Sequence, residues 1–238
     1  MAVFWNDIVT RDRLLAMTSD ERTDALRRAI DTGLDRHSAT TPWQRRYLAL
    51  QSEWLLQLLP QWLEVELESS PFQVIRTEHK LSDRAIGPLR LDVRVDRIDA
   101  PMIDHVELPE ATKDRAPGQL IIDYKTGNIP SGAWKGDRPD EPQLPLYAVL
   151  AEDRPIGGIA IARLKVGEME LKPRSEKEFA GQLPQWRKVL TALAESFAAG
   201  DTAVDPKNGD TCRNCAQMPL CRIRETNASD EESEESDG

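Results

Sequence analysis

Apolar residues recur every three or four positions along the first third of the chain, which is the spacing of amphipathic helices. The pattern predicts helical structure from about residue 7 to residue 36, with an internal helix start at Thr18 to Glu21. Thr41 and Pro42 then supply an N-cap and a first-turn proline for a long second helix. We therefore expect an N-terminal helical region over residues 1–70.

After residue 70 the pattern changes to short apolar or alternating runs, as expected of strands. Strands are predicted at 72–80, 89–98, 120–124 and 158–165, with a helix at 142–151 between the last two and a final amphipathic helix at 176–198. This order predicts an α/β fold in which helices flank a central mixed sheet. The predicted core domain spans residues 71–225, and residues 226–238 form a separate acidic tail.

Length and composition are those of one compact domain. The chain has 238 residues, of which 39% are hydrophobic and 30% charged, and this allows a sizeable core. No apolar run approaches the ~20 residues that cross a bilayer, and no secretory signal pattern opens the chain. We expect a cytoplasmic protein without membrane contact.

The formal net charge of −10 by itself disfavours a nucleic-acid ligand, because phosphate contacts require basic residues. Part of the charge is segregated, however. The tail NASDEESEESDG contains six acids and no base, so the preceding residues carry 31 bases against 35 acids, a net charge of −4. That value is mild for a protein whose acidic centre binds cations. The tail is expected to be disordered and solubilising.

Two carboxylates lie at predicted strand positions. Alternation along LDVRVD places Asp96 on the face opposite the apolar side chains. The apolar run at 120–122 suits a strand buried on both faces, and it leads directly into Asp123. An ionised carboxylate at such a position is costly to desolvate unless it is paired or bound to an ion. A divalent cation would resolve that cost.

Mg²⁺, with Mn²⁺ as the alternative, prefers carboxylate, carbonyl and water oxygens. Asp96, Asp123 and the backbone carbonyl of Tyr124 supply three such ligands. Lys125 would orient or activate the attacking water and offset charge on a phosphate in the transition state. An isolated D-x-K sequence is more often a surface ion pair, so the combination of segments carries this hypothesis.

The helix at 142–151 adds two polar residues to the same centre. Gln143 and Tyr147 are four residues apart and therefore share one helical face. From that face they would hold either Lys125 or a DNA backbone. Acids, a lysine and a polar helical pair in this order are the groups that a metal-dependent phosphodiesterase requires.

The segments VDRID, IIDYKTG and PQLPLY resemble the motifs of the PD-(D/E)XK nuclease superfamily, in its RecB-like and AddB-like exonuclease branch. The resemblance covers about residues 72–224 and implies a restriction-endonuclease-like core. The residues that it implies are the metal ligands Asp96 and Asp123, the catalytic Lys125, and the accessory pair Gln143 and Tyr147. The implied function is Mg²⁺-dependent cleavage of DNA, as an exonuclease, in recombinational repair. The chain has no phosphate-binding loop, so an ATP-dependent helicase partner would be another chain or domain.

Three cysteines near the C-terminus, Cys212, Cys215 and Cys221, have the spacing C-x2-C-x5-C. Clustered thiols without a secretory signal favour metal ligation over disulfides. Members of the branch hold a 4Fe–4S cluster with one upstream and three C-terminal cysteines, so the resemblance implies this cofactor with its fourth ligand missing from the chain. A zinc site completed by a histidine, and a segment without metal, are the alternatives.

The branch also places a metal-binding histidine on a helix before the first strand, and no histidine here fits that position. His37 lies in a polar linker, His79 follows a strand and His105 lies in a loop, so each is expected to be structural or at the surface. We expect an N-terminally shortened form that lacks this histidine and the first cysteine. The alternative function is therefore a catalytically impaired DNA-binding or scaffold remnant of such a nuclease.

Other aromatic and basic residues are candidates for DNA contact. The loop at 127–140 is expected to flank the active centre, and its candidates are Trp134, Lys135 and Arg138. Three tryptophans of the second helix repeat beside leucines, which favours burial over stacking on DNA bases: Trp43, Trp54 and Trp62.

We expect mainly structural roles for four charged residues of the first two strands. Arg97 is expected to be a partner to an acid, and Asp99 a turn residue at a strand end. Asp92 is expected to be solvated or salt-bridged. Glu78 is either a strand-end charge or an auxiliary acid.

Overall fold

Three threonine caps divide the N-terminal helical region into four helices. The structure, a computed structural model, describes residues 1–101, 118–127, 134, 138–151, 155–175, 178, 181–213 and 215–221. The helices are α1 (Ala2–Ile8), α2 (Arg11–Ala16), α3 (Ser19–Leu34) and α4 (Pro42–Glu68). Thr10, Thr18 and Thr41 cap α2, α3 and α4, each by accepting a hydrogen bond from a backbone N–H of the first turn.

The predicted helical stretch over residues 7–36 is therefore interrupted twice. Val9, with a φ of 67°, closes α1, and Met17 ends α2 in an extended conformation. Periodicity does not reveal these breaks, because apolar spacing continues across them. The predicted start of the long helix at Thr41 and Pro42 is confirmed.

Burial along α4 is uneven. Its buried residues all lie from Leu58 onward, and they include Trp62. Trp43 and Trp54 are exposed. The expectation of burial is thus correct for Trp62 and wrong for the other two, because spacing predicts which side chains share a face but not whether another element covers it.

A five-stranded sheet follows the helices. Its strands are β1 (Phe72–Ile86), β2 (Leu89–Pro101), β3 (Gln119–Lys125), β4 (Ile156–Arg163) and β5 (Glu170–Ser175). They lie in the order β1-β2-β3-β4-β5, and only β3 and β4 pair in parallel. The prediction of a mixed sheet is confirmed. β5 was not predicted, because the edge segment ELKPRS has no apolar run and contains Pro173.

Four more helices complete the described chain: α5 (Gln143–Leu150), α6 (Leu183–Ala198), α7 (Gly209–Arg213) and α8 (Met218–Cys221). α5 agrees with the predicted helix at 142–151. α6 agrees with the later part of the predicted helix at 176–198, and Gly181 and Gln182 form a turn just before it.

The sheet is the middle layer of three. On one face, Val95, Ile121 and Ile159 pack against Tyr147 of α5 and Trp186 of α6. The other face carries Phe72, Ile122 and Ala160, which pack against side chains of α1 to α4. Successive β3 residues therefore serve different layers, as the strand pleat requires.

Glycine is required where two backbones approach closely. Gly87 has a φ of 52° in the turn that joins β1 to β2. A Cβ on Gly157, at the start of β4, would lie 2.4 Å from the carbonyl oxygen of Gly118. These contacts fix the start of β3 against β4.

Within the described ranges, no helix is long and apolar enough to cross a membrane. The predicted acidic tail, His105 and Lys135 lie outside the described residues.

Candidate active site

The central strand β3 carries the acid and the base on one face. Asp123 and Lys125 point to the layer that contains α5, whereas Tyr124 points to the layer of the N-terminal helices. β3 lies between β2 and β4, so Asp123 is only 2% exposed. The sequence IIDYK thus places a carboxylate at a buried position and an ammonium two residues later, at the end of the strand.

Asp96 lies on the neighbouring strand β2. Its Oδ2 accepts a hydrogen bond from the Tyr124 backbone N–H at 2.9 Å. Across from it on β1, Glu78 has a φ of 48°, and its carboxylate pairs with Arg94 at 2.9 Å. Glu78 is therefore a mid-strand residue at a local distortion of β1, not the strand-end charge that the sequence suggested.

A chain of hydrogen bonds joins Lys125 to α5. Lys125 Nζ donates to Gln143 Oε1 at 2.6 Å, and Gln143 Nε2 donates to the Tyr147 hydroxyl at 2.8 Å. The hydroxyl in turn donates to the backbone carbonyl of Arg94 at 2.8 Å. Burial raises the pKa of Tyr147, which keeps this donor protonated. The predicted helical pair thus holds Lys125 and ties α5 to β2.

Asp123 is an incompletely satisfied carboxylate. Burial raises its pKa, and although Lys125 lowers it, Asp96 and Glu141 raise it further. Lys125 Nζ lies 3.0 Å from Asp123 Oδ2, but this buried oxygen has no well-aligned hydrogen bond among the described residues. A buried anion with a free lone pair and other acids nearby is a suitable ligand for a cation.

The oxygen ligands of this centre provide part of the coordination that a hard divalent ion requires. Asp96 and Asp123 supply carboxylates, and the backbone carbonyl of Tyr124 directly follows Asp123 in sequence. Among the described residues, no three or more His, Cys, Asp or Glu side chains converge on one point. Mg²⁺ commonly keeps several waters and takes only one or two protein carboxylates, so the set is compatible with it.

A buried ionic cluster on the opposite face of the sheet supports Tyr124. Arg97 is 1% exposed, and its guanidinium lies over the rings of Trp5 and Phe72 at 4.4 and 4.5 Å. It donates to both carboxylate oxygens of Asp99, at 2.7 and 2.6 Å, to the carboxylate of Glu66, and to the Tyr124 hydroxyl at 3.0 Å. Arg97 thereby fixes the side chain of the residue between Asp123 and Lys125.

This cluster corrects one expectation and confirms another. Arg97 is a structural partner to acids, as predicted. The expectation that Asp99 is a turn residue is wrong, because Asp99 is buried within β2 and bonded to Arg97. Asp92 pairs with Lys80 at 3.0 Å, as expected for an exposed salt bridge.

An open groove runs beside the acids. It has a volume of about 1030 Å³ and lies between β2, α5 and α6. Asp96, Gln143 and Glu141 line its polar end, and Leu193 and Phe197 lie at the apolar end. Sequence reasoning missed Glu141 and Glu66. Glu141 could have been found from its position just before Gln143, whereas nothing in the sequence links Glu66 to Arg97.

The remaining candidates lie apart from this centre. Trp134 is buried, which disfavours its predicted role in DNA contact, and Arg138 pairs with Asp205 at 2.7 Å. His37 is exposed and His79 is partly buried within β1, in agreement with structural or surface roles. The thiols of Cys212, Cys215 and Cys221 are free and, as placed in the described segment, are not grouped to hold a metal ion.

Comparison with known proteins gives a match to a protein family. The sequence profile of the PD-(D/E)XK nuclease superfamily matches residues 9–222. No curated protein matches the chain. A solved structure titled "Crystal structure of SSO0001" is 13% identical over 84% of this chain and 95% of that chain, with a TM-score of 0.34, and this distant likeness supports no further conclusion. With the profile match, the mixed sheet and its flanking helices are those of the predicted restriction-endonuclease-like core.

Proposed function

Because the chain belongs to the PD-(D/E)XK nuclease superfamily, we propose that it hydrolyses DNA phosphodiester bonds at the centre formed by Asp96, Asp123 and Lys125. One observation carries this proposal. Lys125 is bonded to Gln143 at 2.6 Å and lies 3.0 Å from the buried carboxylate of Asp123, so a cation and a buried anion are held together at the end of a buried strand. Such an arrangement costs stability, and catalysis gives it a function.

Each residue has a separate task in the proposed reaction. Lys125 orients the attacking water and stabilises negative charge on the phosphate in the transition state. Gln143 keeps the ammonium of Lys125 in place, and Tyr147 anchors Gln143 to β2. Asp96 and Asp123, with the Tyr124 carbonyl, would hold a Mg²⁺ or Mn²⁺ ion. A divalent ion there supplies Lewis-acid polarisation of the phosphate.

The test is degradation of labelled linear and circular DNA, single- and double-stranded, with Mg²⁺ or with EDTA. We expect Mg²⁺-dependent cleavage that Asp123→Asn and Lys125→Met each reduce at least about 100-fold. The matched control is Lys80→Met, because Lys80 and Asp92 form an ion pair of the same 3.0 Å length on the exposed surface. Cleavage that survives in both site variants would contradict the proposal.

A second function is a catalytically impaired DNA-binding or scaffold remnant. It is favoured by one observation, that no group of three or more His, Cys, Asp or Glu side chains in the described part of the chain is placed to hold a metal ion. The same assay separates the two functions. A wild-type protein that binds DNA but does not cleave it with either metal would favour the remnant.

The finer features that the family resemblance implies stay predictions. They are exonuclease action, a place in recombinational repair beside an ATP-dependent helicase, a 4Fe–4S cluster on Cys212, Cys215 and Cys221, and a cytoplasmic location. Iron content and visible absorption of anaerobically purified protein would test for the cluster, and zinc in place of iron would favour the alternative site.

A further inference from the structure

The first half of α4 presents an exposed apolar face to solvent. Trp43, Tyr47, Leu50 and Trp54 have exposed fractions of 67, 53, 46 and 42%. Their spacing of four, three and four residues places them within a sector of about 60° around the helix axis. We call these four residues the α4 aromatic face. Large apolar side chains gathered on one exposed stripe are typical of binding surfaces.

Free positive charge lies beside the α4 aromatic face. Arg46 follows Trp43 by three positions and precedes Leu50 by four, so it borders the same stripe. Arg45 donates only to the Thr40 carbonyl oxygen, at 3.5 Å. Within the described residues neither guanidinium forms an ion pair. The surface therefore combines aromatic rings with unpaired cations, although the protein as a whole is acidic.

This combination matches the chemistry of an unpaired nucleic-acid strand. Aromatic rings stack on exposed base faces, while arginines contact the phosphates. In a duplex the base faces are already stacked on one another, so aromatic side chains cannot stack on them. We propose that the α4 aromatic face binds single-stranded DNA by base stacking, with Arg46 contacting the backbone, at a site separate from the catalytic acids. This inference rests on the proposed function, because it assigns a further contact for the same substrate.

α4 extends from the exposed rings towards a cavity that Asp96 lines. Trp43 and Trp54 are separated by about 17 Å along the helix axis. The next turns of the same helix carry Leu55 and Leu59, which line a cavity together with Asp96 and Tyr124. Helical spacing places Leu55 and Leu59 on the side of α4 away from the exposed rings, so the cavity lined by Asp96 and the α4 aromatic face flank the same helix.

A second copy of the chain does not fit the surface as well. Aromatic side chains bury about 150–250 Å² each when fully covered, so four half-exposed residues offer about 400 Å² per copy. Stable interfaces bury about 800 Å² on each partner. The aromatic face is too small for a stable dimer on its own.

Fluorescence anisotropy in EDTA tests the proposal without cleavage, using a labelled oligothymidylate and a labelled duplex. The double variant Trp43→Leu/Trp54→Leu keeps apolar bulk but removes the aromatic rings. We expect it to weaken oligothymidylate binding by about 5-fold or more for each ring, while duplex binding stays unchanged. The double variant Trp43→Phe/Trp54→Phe keeps a ring at each position and should restore most of the affinity. Arg46→Ala should lower the slope of log affinity against log salt by about one.

Three results would overturn the proposal: no oligothymidylate binding by the wild type, equal affinity of the wild type and the leucine variant, or equal losses for single strand and duplex. A wild-type dimer in sedimentation velocity that Trp43→Glu dissociates would instead assign the face to a second copy. Circular dichroism checks the fold of each variant. Failure of the proposed function is a separate outcome, because it appears as absent cleavage in Mg²⁺ whatever the binding in EDTA.

Discussion

Replacing Arg97 with methionine would leave two carboxylates buried without their cation. The side chains of Arg97, Glu66 and Asp99 are 1, 1 and 3% exposed, and the guanidinium bonds both acids. Methionine keeps an apolar stem between the rings of Trp5 and Phe72 but provides no donor. Breaking a buried ion pair by removing one partner costs about 3–5 kcal/mol. Since total stabilities are about 5–15 kcal/mol, this loss is a large fraction of the free energy of unfolding.

The loss should depend on pH in a defined direction. Burial already raises the pKa values of Glu66 and Asp99, and Arg97 partly offsets this. Without Arg97 both folded-state values rise further above the unfolded values of about 4. The folded variant then binds more protons than the unfolded chain between those values, so its stability falls as pH rises through this window. As pH falls through this window towards the unfolded values of about 4, the deficit relative to wild type should shrink, by up to about 1.4 kcal/mol per pH unit for each acid.

Urea unfolding of wild type and Arg97→Met at several pH values measures this effect. Arg90→Met is the matched control, because Arg90 forms an equally short bidentate pair with Asp83 on the exposed surface of the same hairpin. We expect the control to remain close to wild type. If Arg97→Met were no less stable than the control, or its deficit were the same at all pH values, the reasoning about the buried cluster would be refuted.

Three further predictions concern the site and its scaffold. Gln143→Leu removes the acceptor that holds Lys125, so kcat should fall about 10- to 100-fold with little change in Tm. Asp123→Asn removes a buried charge that other acids destabilise, so Tm measured in EDTA should rise by a few degrees while cleavage is lost. Gly157→Ala places a Cβ 2.4 Å from the backbone oxygen of Gly118 and should cost about 1–3 kcal/mol in urea unfolding, whereas Gly181→Ala, with open space around it, should not.

Each of these has a result that would contradict it. Unchanged kcat in Gln143→Leu would mean that catalysis does not require the hydrogen bond between Lys125 and Gln143. A lower Tm for Asp123→Asn in EDTA would mean that the carboxylate is stabilised in the metal-free fold. Equal stability of the two alanine variants would show that β3 and β4 can separate at Gly157 without penalty.

Much of the fold could be predicted because local rules and tertiary packing agree. The start of α4 follows from Thr41 and Pro42, whose capping geometry depends only on neighbouring residues. β3 follows from an apolar run that suits a strand with both faces covered. Alternation along β3 and helical spacing along α5 then bring Lys125 to Gln143.

Other features depend on contacts that sequence spacing does not encode. Glu66 lies 31 residues from Arg97, and no local pattern pairs them. Asp99 was assigned to a turn because an acid late in a strand usually contacts solvent, yet Arg97 retains it in the core. The exposure of Trp43 and Trp54 reflects that no element in the described part of the chain covers them, which periodicity cannot report.

The central claim is that Asp96 acts with Asp123 in cleavage. The most direct measurement compares Mg²⁺-dependent cleavage rates of Asp96→Asn and Asp92→Asn under single-turnover conditions. Both residues lie on β2, but Asp96 bonds the Tyr124 N–H beside Asp123 whereas Asp92 pairs with Lys80 at the surface. We predict that cleavage is lost in Asp96→Asn and retained in Asp92→Asn. Equal rates in the two variants would contradict the account.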